Sequence, residues 1–128
     1  MFKITVDLPE RRVASLLCTA IEGGINYWCE RITKAWEGEE GGKPVAYLEE
    51  DGSVVWIHDY PLTPGGVLYV KELDGDTHRL DRAAVIRGLA LMGEHHARHF
   101  GDFMDENEDA TTGDVFVQLC LFGELRYG

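Results

Sequence analysis

Basic residues are scarce in this chain: 12 lysines and arginines stand against 23 aspartates and glutamates, leaving a formal net charge of −11 over 128 residues. That balance disfavours nucleic-acid backbones and anionic membranes as partners of the whole surface, so direct nucleic-acid binding is not expected. A basic partner suits the charge, as does plain solubility. Cysteine is scarce too. Cys18, Cys29 and Cys120 are odd in number, widely spaced and free of any C-x-x-C pair, so neither a disulfide framework nor a zinc ribbon is indicated. No charged-then-apolar leader opens the sequence and no apolar run approaches the ~18 residues of a membrane span, which points to a cytoplasmic protein.

Catalytic signatures are missing as well. There is no G-x-S-x-G elbow, no phosphate loop of the G-x-x-x-x-G-K-[ST] form, no kinase set and no H-E-x-x-H helix. Cys29 and His58 meet as nucleophile and base only if the fold happens to join them.

What is present reads as one α+β domain over residues 1–128, long enough to bury its own core. The expected fold is an antiparallel sheet of about four strands packed against three helices. Phe2, Ile4 and Val6 alternate with Lys3, Thr5 and Asp7, the period-two signature of a first strand. Pro9 opens a helix with apolar positions Val13, Leu16, Leu17, Ala20 and Ile21, for which Asp7 is the expected N-cap and Gly23-Gly24 the stop, accepting positive φ. Trp28, Ile32 and Trp36 are spaced by four, which fits a helix or a strand. The β-branched and aromatic content favours a helical turn at Asn26 to Trp28 and an extended segment to Trp36.

Glu37 to Pro44 reads as an acidic loop. Asp51-Gly52 between Val45–Glu50 and Ser53–His58, and Asp74-Gly75-Asp76 between Val67–Leu73 and Thr77–Leu80, mark two hairpins, with Pro61, Pro64, Gly65 and Gly66 in a rigid loop between them. Asp81 caps a helix from Arg82 to about Phe100, in which Gly88 and Gly93 suggest close approach of another backbone. Asp102 to Asp109 is a second acidic loop. A last helix starts at Thr111 with a Thr111-x-x-Asp114 capping box and is apolar nearly all round; a buried strand is the alternative. Gly123 stops it, leaving Glu124 to Gly128 as an ordered tail or edge strand.

Three constellations could carry chemistry. His95 and His99, four apart, are weak metal candidates with Glu94, Asp102 or Asp105 as a further ligand, but helix-end histidines also serve the macrodipole, and no metal or cofactor is expected. Glu22 and Glu124 would make a carboxylate pair for a small hydrolase if the two glycine-ended helices converge, or simply pair with Arg31 or Arg126. Glu22-Gly23-Gly24-Ile25-Asn26-Tyr27-Trp28 and Phe122-Gly123-Glu124-Leu125-Arg126-Tyr127-Gly128 share a layout of helix end, glycine, acid and aromatics. Tyr27, Trp28 and Tyr127 offer stacking faces, Asn26 an amide and Arg126 a planar fork, a set suited to a planar ligand, a protein interface, or a core joint.

The combination of IEGGINYW, HFGDF, DATTGDVFVQ and FGELRYG resembles a family of small acidic proteins encoded by bacteriophages and prophages. The likeness covers both helical ends of the chain and not its central hairpins. That family has no settled activity. The genomic company such proteins keep implies a non-catalytic counter-defence or host-takeover factor in the host bacterial cytoplasm. It would block a host defence protein in the manner of an anti-CRISPR, or sequester a small nucleotide-like signal, as a monomer or homo-oligomer.

Overall fold

The computed structural model describes residues 1–36 and 56–128. Over them run helix α1 (Glu10–Thr19), strand β1 (Cys29–Trp36), a 3-10 turn (Ile57–Leu62), strands β2 (Gly66–Glu72) and β3 (Thr77–Leu80), and helices α2 (Arg82–His95), α3 (Ala97–Met104) and α4 (Ala110–Phe122). The class is α+β, with an antiparallel sheet in the order β1-β2-β3. Among the described residues it has three strands and four α-helices, against the expected four and three. The acidic loop from Glu37 and the hairpin around Asp51-Gly52 lie outside the described residues, except that residues 57 and 58 belong to the 3-10 turn and not to a strand.

The β2–β3 hairpin stands where its turn chemistry put it, and its register places Val70 opposite His78 and Leu68 opposite Leu80. Leu68, Val70 and Glu72 share the buried phase of β2. The extended reading of Cys29 to Trp36 also holds, with Ile32 opposite Val70 in β1–β2. Phe2 to Val6 is no strand, however. It joins no ladder among the described residues, and Phe2 and Ile4 are 101% and 90% exposed. Alternation becomes a strand only where a neighbouring edge supplies hydrogen-bond partners, and no described strand lies beside this segment.

Helix α4 is the axis of the core. Every residue from Thr112 to Cys120 is buried, and α1, α2, α3 and β3 all pack against it. Each fully buried large side chain, Phe116 and Leu119 among them, contributes ~1.5–3 kcal/mol. The helix starts one residue earlier than expected, because Asp109 and not Thr111 is the cap: its Oδ1 accepts from the Thr112 amide at 2.9 Å. Asp81 caps α2 in the same way through Ala84 N, at 2.9 Å. At the far end Gly123 takes φ +73° and closes α4. Pro9, not Asp7, holds the N-cap position of α1, with φ fixed near its required value and no side-chain cap bond.

Two glycine expectations need correction. Gly23 and Gly24 are not left-handed; the chain widens into a π-turn over Ala20–Gly24, with Ile25 N bonded to Ala20 O at 3.1 Å. What Gly24 supplies is proximity. A Cβ there would stand 2.5 Å from Ala110 O, and one on Gly113 would stand 2.8 Å from Ala20 N, so the π-turn and the start of α4 touch backbone to backbone. Gly88 does approach a backbone as expected, that of Cys120, whereas Gly93 faces only the Phe100 ring.

The long helix from Arg82 breaks at His96, where φ −133° and ψ 56° leave the helical basin. The break lets α3 turn Phe103 into the core, its backbone oxygen accepting from the Arg12 guanidinium, which also lies 5.0 Å over the Phe103 ring. Asp102 is therefore helical, and the acidic loop begins at Asp105.

Candidate functional site

The two glycine-aromatic motifs meet. After the π-turn, Trp28 N bonds to Ile25 O at 3.1 Å, and this short turn drives Trp28 inward while Tyr27 stays at the surface, 51% exposed. The Trp28 ring stacks on Tyr127, centroids 5.3 Å apart and planes 2° from parallel, and is flanked by Phe122 at 5.5 Å. The indole is 1% exposed.

Beneath this stack lies a polar frame that the sequence reading had not assembled. Asp114, buried on the first turns of α4, accepts from Tyr27 Oη at 2.5 Å, from Trp28 Nε1 at 2.7 Å and from Gln118 Nε2 at 2.9 Å. Gln118 Oε1 in turn accepts from the amides of Arg126 and Tyr127 at 2.8 and 2.9 Å, and its Nε2 also donates to Tyr127 O at 3.2 Å. The tail is thereby ordered without a ladder: it is neither strand nor helix, but is bound amide by amide to one side chain. At the other side Tyr127 Oη donates to Glu72 Oε1, while Glu72 Oε2 is 2.7 Å from His78 Nε2. A buried carboxylate costs several kcal/mol unless its oxygens are engaged, and both carboxylates here have partners on each oxygen.

These contacts set the titration of the group. The Tyr127 hydroxyl, then the His78 ring, hold the Glu72 carboxyl below its ordinary value. The bond to Glu72 raises the Tyr127 phenol. Burial, then the bond to Asp114, push Tyr27 up to about 12. All three thiols are raised chiefly by burial, and Cys29 Sγ donates to Arg31 O at 3.6 Å. A thiol held protonated is a poor nucleophile, which counts against the Cys29–His58 pairing.

Comparison with protein-family models, curated proteins and solved structures returns no match to this chain.

Of the residues singled out in the sequence, Gly24 and Trp28 are buried in the joint. Glu22, Gly23, Asn26, Tyr27, Glu124 and Arg126 are exposed, and Tyr127 is partly so. Asn26 Nδ2 reaches back to Glu22 O at 3.5 Å. Arg126 lies 4.5 Å over the Phe122 ring, with Nε 3.7 Å from Glu124, so that glutamate has the arginine partner the sequence offered it. Glu22 sits beside Cys18 instead. His95 and His99 fall on separate helices, α2 and α3; His95 pairs with Glu94 at 3.6 Å, and His99 Nδ1 lies 3.4 Å from Thr112 Oγ1. Among the described residues no three His, Cys, Asp or Glu side chains gather as a metal would require. No helix among them is long and apolar enough to cross a membrane.

Sequence reasoning missed Gln118, Glu72 and His78, and read Asp114 only as a capping-box partner of Thr111, whereas it accepts from Tyr27, Trp28 and Gln118. A signal existed for two of them: Asp114 and Gln118 are polar at i and i+4 inside an otherwise apolar helix, and such a pair must find partners or solvent.

Proposed function

We propose that this is a non-catalytic binding protein whose contact surface is the exposed rim of the Trp28–Tyr127 joint, and that its partner is a basic host defence protein met by a bacteriophage or prophage product. One observation carries the reading: Trp28 and Tyr127 are spent on one another and on the Asp114–Gln118 frame, leaving a rigid base with Asn26, Tyr27, Leu125 and Arg126 exposed above it. Tyr and Arg on a preorganised support are the residue types that dominate binding energy at protein interfaces. The −11 charge favours a basic surface and speeds the encounter. The Trp28 face that would have stacked on a planar nucleotide is occupied by Tyr127. A hydrolase built on Glu22 and Glu124, or on His95 and His99, draws less support, since Glu124 is engaged by Arg126 and the histidines have separate neighbours.

The test is plating efficiency of a phage on bacteria that carry a nuclease-based defence system, with and without this protein expressed. Protection of the phage should be lost with Arg126→Glu and with Leu125→Asp, both at exposed positions, while thermal unfolding of the variants stays near that of the parent. A cyclic dinucleotide or ADP-ribose that stabilises the pure protein, by ~2.7 kcal/mol at 100 times its dissociation constant, would instead make the partner a small molecule.

A further inference from the structure

Away from the rim residues, an apolar face is left open between the N-terminal segment and α2. Ile4, Val6 and Leu8 line one side of a groove of about 620 Å³, and Ile86, Leu89 and Phe100 line the other. Exposure climbs toward the N-terminus: Leu8 packs on the core, Val6 is 44% exposed, Ile4 90% and Phe2 101%, and Ile86 on the helix is 61% exposed. Contiguous apolar surface of this kind marks an interaction site, and a segment of alternating apolar side chains that joins no ladder among the described residues has the pattern of a strand lacking a neighbour.

We propose that the neighbour is the same segment of a second copy of this chain, the two Phe2–Val6 stretches pairing antiparallel about a two-fold axis at Ile4. The segment is self-complementary in that register, and a slip by one residue destroys the match. Ile4 faces Ile4 of the other copy, Phe2 faces Val6, and Lys3 faces Thr5, so apolar residues meet on one side of the ribbon. A slip of one residue would set Ile4 against a polar position. Lys3 and Asp7, both exposed and without an ion pair among the described residues, become diagonal neighbours across the ribbon, twice by symmetry. The pairing also brings Phe2 beside Val6 of the other copy, a residue that lines the groove, and so delivers the most exposed aromatic ring into the partner's apolar face. An interface of this kind is isologous and closes at two copies.

Sedimentation velocity of the full chain over a concentration series tests this, with thermal unfolding of each variant as the control for folding. The parent should be a dimer, and Ile4→Lys, which sets two like charges together on the axis, should be a monomer whose melting point matches that of the parent diluted below its own dissociation constant, because Ile4 touches little of its own chain. Lys3→Asp should raise the dissociation constant about tenfold, and the exchange of both charges, Lys3→Asp with Asp7→Lys, should restore it. A parent that stays monomeric at 200 μM, on the order of the concentrations that populate weak dimers, would overturn the proposal. So would a dimer that Ile4→Lys leaves intact, or a charge exchange that fails to rescue.

Discussion

Asp114 and Trp28 are joined by a 2.7 Å hydrogen bond from indole to carboxylate, and Asp114 shares the buried length of α4 with one further polar side chain of the frame, Gln118. The carboxylate is the node through which the π-turn, α4 and, by way of Gln118, the C-terminal tail are tied. Because three donors converge on it, its removal leaves the Trp28 and Gln118 N–H groups buried without acceptors, whereas Tyr27, half exposed, can turn to water. Asp114→Ala should therefore cost ~2–4 kcal/mol in urea unfolding, the sum of two buried unsatisfied donors. Asp114→Asn, whose one oxygen can still accept from both Trp28 and Gln118 while its amide meets the Tyr27 hydroxyl, should fall between. A loss under ~1 kcal/mol for the alanine variant would mean that the tail and turn are held by packing alone.

Acid should loosen the other end of the frame. Glu72 is held below its ordinary value by Tyr127 and then His78, so the folded state binds its proton less tightly than the unfolded state does. The stabilisation is fully present above the ordinary value near 4.5 and is lost as pH falls through the lower folded value. Tyr127→Phe deletes the larger cause. It should flatten the acid limb of the stability-against-pH curve below about pH 4.5 relative to the parent, leave the slope through neutral pH little changed, and remove the contribution of the raised Tyr127 phenol from the alkaline limb. Equal slopes in parent and variant would show that Glu72 does not sense the tail.

Alkali acts on Tyr27. Its phenol is raised from 10 to about 12, first by burial and then by the Asp114 carboxylate, so the unfolded chain ionises before the folded one. Stability contributed by the protonated phenol is complete below pH 10 and is lost as pH rises toward 12. Absorbance titration at the tyrosinate band should show a phenol that ionises late, and Tyr27→Phe should remove that step from the five tyrosines of the chain. If the late step survives in the variant, it belongs to another tyrosine.

Much of the fold was legible where local chemistry and tertiary context agree. Asp81 as a cap, Asp74-Gly75-Asp76 as a hairpin turn and Gly123 as a stop are all decided within a few residues. The misses share the opposite character. Phe2 to Val6 carries a strand's pattern without a described neighbour to complete it, and pattern alone cannot supply one. Gly24 looked like a left-handed cap because its actual constraint, the carbonyl of Ala110, lies on a distant helix. The meeting of the two aromatic motifs was foreseen as a possibility. The frame beneath it was not, since Glu72 and His78 become its members only through strand register, and nothing adjacent to either residue announces Tyr127.

Gly88 offers a case in which the effects oppose and can be separated. Replacing an interior helical glycine by alanine gains ~1 kcal/mol from backbone entropy alone. Here the added Cβ would stand 2.2 Å from Cys120 Sγ and 3.0 Å from Cys120 N, at the crossing of α2 and α4 where both helices are buried. Overpacking of this kind costs ~1–3 kcal/mol, and a cysteine has only one torsion with which to withdraw, so the clash should win and Gly88→Ala should lower stability by ~1–2 kcal/mol. Cys120→Ala removes the sulfur that meets the new methyl. In the double variant the propensity gain should reappear against only the milder 3.0 Å backbone contact, giving a stability above the sum of the two single changes by ~1 kcal/mol or more. Strict additivity in that cycle would place the cost of Gly88→Ala in the helix backbones themselves, which would then have to move apart along α2 and α4 rather than yield at one side chain.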